Sequence, residues 1–427
     1  MNTTRRRQRG AVILTVSLML LFLLGFMGIA LDLGRMFIVK TELQTAMDSC
    51  ALSAAQELDG QATARDRALS AGLTAANVNR VNLQSSSWDG QGQLTTAGIT
   101  LRDANYNVTT NPTTAKYAEC EHVQPGIRMW LLHAMQAFDG SVPSPSTRSV
   151  MSRAVATRAS AQTTCPVPVA LKPRLCGGVP CPAPNYGFTT GDWVRLINAP
   201  GGAVGGEIGW ANLDGSSSAS ETVAELEGFC GTEVGDTLGT PGVQSTVVDV
   251  WNYRFGIYKN SVNPAVKRPD FTGYAYTSVN WPSRFNAYDG TAGAGAPASA
   301  ANFVTKRQQF ASCADTTTSL SVCETTLYGS PPSQRLNSFQ KLANPGVTAT
   351  DGHRAYGQSR RLVIVPVING AASVIDFACM FMLQPLTIPM SDVELEYRGN
   401  AGATGSPCTT SGLPGGSAGP LVPVLVR

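Results

Sequence analysis

The chain has 427 residues and a net charge of +3, and 43% of its residues are hydrophobic, which is enough for a sizeable core and, by length, for two or three domains. Four arginines lie among the first nine residues; without them 28 basic residues remain against 29 acidic ones, a net charge of −1. A near-neutral remainder gives no electrostatic case for nucleic-acid binding. Charged residues make up only 14%, and the 43 Gly and 26 Pro predict long loops between strands.

The first element is an uncharged apolar run from Ala11 to Leu31, interrupted only by Thr15 and Ser17. About 20 such residues, at roughly 1.5 Å each in a helix, cover the about 30 Å hydrocarbon core of a membrane. The preceding RRRQRG carries four arginines and no acid. Because basic residues remain on the cytoplasmic side, the pattern predicts one transmembrane helix, a cytoplasmic tail at 1–10, and an extracytoplasmic location for everything after the span.

A cleaved signal peptide is the alternative for the same run, since Gly28-Ile29-Ala30 has the small-x-small form of a cleavage site. The run is long for the apolar region of a signal peptide, and no polar segment precedes that site. We therefore expect a retained anchor in the bacterial cytoplasmic membrane, with a periplasmic or extracellular remainder.

Residues 32–60 contain no proline and are rich in helix formers, so we expect the span to continue outward as one long helix. Apolar and small residues recur there at helical spacing and form one stripe: Leu43, Ala46, Met47, Cys50, Ala51, Ala54 and Leu58. Ala46, Cys50 and Ala54 are small enough to admit a close neighbour. The stripe either covers the chain's own soluble domain, which we favour, or packs against other subunits.

The order of these N-terminal segments resembles that of a known family. A basic tail is followed by RGA at the opening of the apolar helix, GIALDLGR at its outer end, and KTELQTAMDSCALSAAQEL. This order is similar to the N-terminal domain of the Tad (tight adherence, Flp pilus assembly) family of TadE/TadG-like proteins, over about residues 8–58. The resemblance implies a membrane-anchored component linked to pilus assembly or the envelope, with those proteins as partners, and not an enzyme.

Two later parts of the chain are more distantly similar to longer Tad-like proteins. One is IGWANLDG, followed by a predicted helix and GDTLGTPGV; the other is RRLVIVPVING leading into IDFACMFMLQPL.

Processing by a prepilin peptidase would cut between Gly10 and Ala11. Pseudopilins that are cut in this way carry a glutamate five residues after the glycine, and this chain has Thr15 there. Threonine cannot supply the buried charge that pairs with a neighbouring subunit's amine. The sequence therefore argues against cleavage at this bond.

All ten cysteines follow the span, and an even count in an oxidising compartment predicts disulfides rather than metal sites. Short spacings single out Cys176 with Cys181 and Cys313 with Cys323, and Cys165 is a further candidate; the connectivity stays open. Cys50 lies on the helix stripe, and we interpret it as a small buried residue rather than a bonded one.

Residues 61–162 predict a small α+β unit. The expected elements are a helix within 61–82, strands at 81–101 around the turn Asp89-Gly90, a strand at 117–123, a helix at 125–138 and a strand at 149–160. The cysteine and prolines of QTTCPVP mark its end near residue 162.

Residues 163–427 predict a larger strand-rich, loop-rich and disulfide-bonded domain. We expect strands at 193–198, 207–213, 361–369, 373–383 and 421–427, a helix at 220–228 and a partly helical segment at 243–258. Pro366 predicts an edge strand or a bulge, because proline donates no ladder hydrogen bond. The fold class is thus α+β, with a transmembrane helix that extends into a long helix.

Motifs for catalysis are lacking in the sequence: there is no HExxH, GxSxG or phosphate-binding loop, and no cofactor or small-molecule substrate is predicted. GGAVGG is interpreted as a turn because no helix is predicted directly after it. Cys120, His122 and His133 could form a metal site, but structural histidines are the preferred interpretation.

Asp214, Ser216 and Ser218 spell D-x-S-x-S, the pattern that opens the metal-dependent adhesion site of von Willebrand A domains. Their hydroxyl and carboxylate oxygens would suit Mg²⁺. The preceding GWANL is too short for the buried strand that this fold needs, so a polar turn before a helix is favoured.

Three functions therefore compete. The preferred one is a single-pass Tad-type envelope protein that acts by assembly or interaction. The alternatives are a metal-dependent adhesin built around Asp214 and a membrane-anchored extracytoplasmic hydrolase with scattered catalytic residues.

Overall fold

The computed structural model describes residues 8–90, 92–129, 147–197, 207–239, 245–258, 262–298, 300–307, 356–386, 392–410 and 413–426. The chain divides into two compact units. Unit 1 comprises residues 1–158 and 423–427, and unit 2 comprises residues 159–422.

Two helices organise unit 1. Helix α1 runs without a break over 49 residues, Gln8–Gln56, which confirms the predicted long helix. Helix α2, Ala64–Asn77, packs against α1 through a face of small buried residues at a spacing of four: Ala64, Ala68, Gly72 and Ala76. Small side chains on both helices allow their backbones to approach closely.

A four-stranded sheet completes unit 1, in the order β1-β2-β3-β12. Its strands are β1 Ile99–Arg102, β2 Tyr117–Arg128, β3 Thr147–Ser160 and β12 Leu421–Leu425. Strands β1, β2 and β3 pair antiparallel, with Cys120 opposite both Ile99 and Ala154. One face of the sheet and the stripe of apolar and small residues on the second half of α1 contribute to one apolar core.

Two local predictions for unit 1 were wrong. Residues 125–128 belong to β2 and not to a helix, because the register between β2 and β3 shifts from Gln124 to Ile127 and so accommodates Pro125 and Gly126, whose φ is 76°. The rest of that predicted helix lies outside the described residues. Of the strand region expected at 81–101, only the last residues form a regular strand; Trp88–Gly90 is a short 3-10 turn.

Unit 2 is built on a closed six-stranded barrel, in the order β10-β11-β7-β8-β4-β9. The barrel strands are β4 Val169–Leu171, β7 Trp193–Ile197, β8 Ile208–Trp210, β9 Leu362–Ile368, β10 Val374–Met382 and β11 Val393–Asn400. A small hairpin, β5 Leu175–Cys176 with β6 Val179–Pro180, and helices α3 Ala219–Gly228 and α4 Ser245–Tyr253 complete it. Burial alternates along β7, whereas β4, β8, β9 and β10 are buried at nearly every position, so residues on both faces of these four strands are covered.

Strand β9 is not an edge strand, contrary to the expectation drawn from Pro366. It pairs with β10 on one side and with β4 on the other, where Leu171 lies opposite Val367. Pro366 itself faces Phe377, but the register between β9 and β10 shifts nearby, between Val374 and Asp376, so the expected irregularity lies beside Pro366 and not at it. The pairing of β9 with β4 is short. Few backbone N–H groups of β9 are therefore needed as hydrogen-bond donors on that side, which is compatible with a proline in the strand.

Four disulfides link the cysteines of the described segments: Cys50–Cys120, Cys165–Cys230, Cys176–Cys181 and Cys379–Cys408. The short-loop pair Cys176–Cys181 forms as the spacing suggested. Cys50, expected to be unbonded, is bonded. Cys313 and Cys323 lie outside the described residues.

Candidate functional site

The first half of α1 is apolar and open on all sides. Phe22 and Phe26 are 60% and 71% exposed, and the neighbouring leucines are similar. Among the described residues this is the one helix that is long and apolar enough to cross a membrane. Leucine and phenylalanine side chains exposed to water to this extent would cost free energy at every position, so the segment suits a lipid environment. Gly10 and Ala11 lie within the continuous helix.

The second half of α1 has the opposite character. Ala46, Cys50 and Ala54 are fully buried, and the stripe they form is covered by α2 and the sheet of the same unit. A Cβ added at Gly72 of α2 would lie 3.2 Å from both Ala54 Cβ and Cys50 Sγ. The two helices therefore meet at a distance that only small residues permit, and Cys50 also bonds covalently to Cys120 of β2.

Polar contacts hold the outer part of α1 to its surroundings. The Glu42 carboxylate accepts the backbone N–H groups of Leu83 at 2.9 Å and Gln84 at 3.2 Å. Asn82, Leu83 and Gln84 all have φ near +60°, a conformation that costs non-glycine residues energy. Glu42 of α1 thus stabilises a strained turn.

A charged cluster lies on the sheet of unit 1 around Glu119. This carboxylate accepts hydrogen bonds from Arg102 at 2.6 Å, Arg153 at 2.7 Å and the Tyr106 hydroxyl at 3.0 Å. Burial acts to raise the pKa of Glu119, but these three donors together outweigh it and lower the pKa below its usual value. The cluster is a structural network of ion pairs and hydrogen bonds.

The histidine and cysteine group suggested by the sequence does not assemble as a metal site in the described residues. Cys120 is committed to its disulfide, and His122 packs edge-on against Trp88 at 5.1 Å between ring centroids. Burial lowers the pKa of His122. His133 lies outside the described residues.

The D-x-S-x-S residues form a turn that leads into α3. Asp214 Oδ1 accepts the backbone N–H of Ser216 at 2.9 Å. The side-chain amide of Asn212 donates to Ser216 Oγ at 3.0 Å and to the Ser218 carbonyl at 2.7 Å. No group of three or more histidine, cysteine or acidic side chains in the described segments is arranged to hold a metal ion.

Glu225 of α3 stabilises this turn through hydrogen bonds to its backbone. Its Oε1 accepts the N–H groups of Leu213 at 2.8 Å and Asp214 at 3.1 Å. Burial raises the pKa of Glu225 to about 7, and the nearby Asp214 carboxylate acts in the same direction. Two carboxyl groups that lie together favour one proton between them near neutral pH. Asp214 was recognisable from its motif. Glu225 was missed because its position in a predicted helix gives no sign of its contact with the turn.

A cleft of about 450 Å³ opens in unit 2 beside the end of α3. Its charged lining contains both signs: Glu225, Glu227, Arg254, Lys267, Arg268 and Arg360. Lys267 pairs with Glu227, and Arg254 donates to the carbonyls of Leu226 and Arg360. Burial and the charge of Arg360 lower the pKa of Arg254 to about 9. Because the charges are mixed and largely engaged, the lining selects no one class of ligand.

Comparison with protein families identifies the N-terminal segment. Residues 10–57 match the model of the Tad family, the TadE/G-like Flp pilus-assembly proteins. The chain carries a Tad domain. The domain coincides with α1 almost residue for residue, and it combines the exposed membrane-capable half with the buried packing half. Searches of curated proteins and of solved structures found no significant match.

Proposed function

We propose that this chain is a single-pass, membrane-anchored envelope protein of the Tad/Flp pilus-assembly type, which acts by assembly or protein interaction rather than by catalysis. One observation carries the proposal: the Tad domain at 10–57 is a single helix whose apolar half lies open and whose outer half forms the core of unit 1. The helix therefore connects a membrane rigidly to a folded unit.

Orientation is part of the proposal. Four arginines precede the apolar half, and this charge bias supports an N-terminus in the cytoplasm. The disulfides support an extracytoplasmic location for the units, since such bonds persist in oxidising compartments. The proposed partners are the membrane and other pilus-assembly or envelope proteins.

A test in cells that assemble Flp pili would delete the gene and count pili and adherent cells. We expect both to fall and to recover with the wild-type chain. Photo-crosslinkers at the exposed positions Val108 of unit 1 and Val179 of unit 2 should then yield adducts whose masses identify pilus-assembly or envelope proteins. Unchanged pilus number and adherence in the deletion strain would contradict the proposal.

A further inference from the structure

We propose that the membrane-proximal end of unit 1 binds the phosphate headgroups of anionic lipids, as a second membrane contact beside the span itself. This inference rests on the proposed function, because it assumes that the apolar half of α1 lies in a bilayer. The surface consists of Arg35 on α1, Arg128 at the end of β2 and Arg148 at the start of β3; we call it the basic end.

Contacts between α1 and the sheet fix the direction of the strands along the helix. Gln44 Nε2 donates to the Arg153 carbonyl at 3.2 Å, and Ser152 Oγ donates to the Lys40 carbonyl at 3.4 Å. Nearer the span, Arg35 Nη1 donates to the carbonyl of Arg128 at 3.4 Å. Strand β2 therefore runs toward the membrane beside α1, and β3 runs away from it.

The height of these contacts above the hydrocarbon core, which we call their level, follows from helix geometry. Arg35 is four residues beyond Leu31, the last residue of the apolar run, which is about 6 Å along the helix axis. The headgroup layer adds roughly 5–8 Å on each side of the hydrocarbon core. Since the Arg128 carbonyl lies at the level of the Arg35 side chain, the end of β2 reaches the headgroups.

The charge at this level fits anionic lipid. In the described segments 31–38, 125–129 and 147–149 there are three basic residues against one acid, a net charge of +2, and that acid, Asp32, is only 5% exposed. Arg128 and Arg148 are exposed. Basic residues next to a span attract anionic lipids within about a Debye length of the surface.

Apolar side chains continue past the span at the same level. Phe37 and Ile38 are 68% and 50% exposed, although they lie beyond Asp32. At about 1.5 Å per residue they lie about 9 and 10.5 Å beyond Leu31, at the outer edge of the headgroup layer, where exposed apolar side chains near a cation suit a lipid interface better than bulk water. A lipid surface is therefore the occupant that the geometry favours over a soluble protein.

The test uses the full chain in lipid nanodiscs that contain either about 30% phosphatidylglycerol in phosphatidylcholine or phosphatidylcholine alone. The photo-crosslinking residue p-benzoyl-phenylalanine replaces Thr147 at the basic end, Leu20 within the span, or Val108, which is 65% exposed and sits beside Arg102, beyond the far end of β2. Lipid adducts are measured by mass spectrometry. Only protein with an intact Cys50–Cys120 bond is counted, and Ser149 serves as a second probe position if Thr147 is not tolerated.

We expect lipid adducts at Leu20 and Thr147 but not at Val108. The Thr147 yield should fall several-fold in phosphatidylcholine alone and in the double variant Arg128→Glu/Arg148→Glu, while the Leu20 yield stays constant. Two results would overturn the inference but not the proposed membrane anchor. One is lipid adducts at Leu20 with none at Thr147; the other is a Thr147 yield that changes neither in phosphatidylcholine alone nor in the double variant. Absence of adducts at Leu20 would instead overturn the proposed function.

Discussion

Cys50 of α1 is bonded to Cys120 in β2, so the Tad domain is covalently bonded to the sheet of its own unit. The bond closes a loop of 70 residues between the long helix and the strand that runs beside it. A force or a displacement at either element is thereby transmitted directly to the other.

Loss of this bond should destabilise unit 1 strongly. In the chain-entropy model a loop of this length corresponds to about 4 kcal/mol, against about 2 kcal/mol for a loop as short as that of Cys176–Cys181. We expect the variant Cys50→Ala/Cys120→Ala to lose protease resistance and melt earlier than Cys176→Ala/Cys181→Ala. Peptide mapping of non-reduced protein verifies the bonds, and equal behaviour of the two variants would count against this role of the Cys50–Cys120 bond.

The close contact between α1 and α2 gives a second prediction. Ala54 is fully buried and faces Gly72, so Ala54→Trp should overpack the contact and cost typically about 1–3 kcal/mol, or more if the helices separate. Membrane insertion should be unaffected because the span is unchanged. Lys40→Ala is the matched control on the exposed side of α1, and it should leave protease sensitivity as in the wild type.

The strained turn at residues 82–84 gives a third prediction. Glu42→Gln keeps the shape of the side chain but weakens its charge-assisted hydrogen bonds to the backbone of Leu83 and Gln84. We expect faster amide hydrogen exchange at these two residues, with little change in the α1–α2 contact. Exchange as slow as in the wild type would show that the turn holds its conformation without Glu42.

A pH dependence follows from Glu225. Its pKa of about 7 lies above its ordinary value, so between about pH 4.5 and 7 the folded state binds more protons than the unfolded state. Stability contributed by this group is therefore complete at low pH and is lost as the pH rises through that window, with a slope of at most about 1.4 kcal/mol per pH unit. Glu396, whose burial also raises its pKa to about 7, adds to the same trend.

Thermal melting of unit 2 in the full chain at pH 5.5 and 8 measures this dependence. Glu225→Gln should reduce the difference in melting temperature between the two pH values, since glutamine does not titrate. Glu221→Gln, exposed on the same helix, is the control and should leave the difference intact. A difference equally large in all three proteins would contradict the assignment to Glu225.

Local patterns predicted the long helix and most strands well. The apolar run and the proline-free extension determine α1, and the β-branched runs of β9 and β10 determine the centre of the barrel. The hydrophobic pattern that specifies each of these elements lies within one stretch of sequence, so it can be recognised before the fold is known.

Tertiary relationships were beyond such reasoning. The partner of Cys50 depends on β2 lying along α1, and the strand character of Pro125-Gly126 depends on the shifted register against β3. Arg361 shows the same limit within unit 2: it opens the predicted strand 361–369, but no local pattern indicates that it is fully buried and donates to the carbonyls of Tyr274 and Met382. Only the folded barrel brings those acceptors together.

The central claim is that α1 anchors the chain with both units outside the cytoplasm. A topology assay tests it most directly: one fusion after Arg427 carries a phosphatase that is active only in an oxidising compartment, and a second carries a fluorescent protein that folds only in the cytoplasm. We expect phosphatase activity in the membrane fraction and no fluorescence. Fluorescence without phosphatase activity would contradict it.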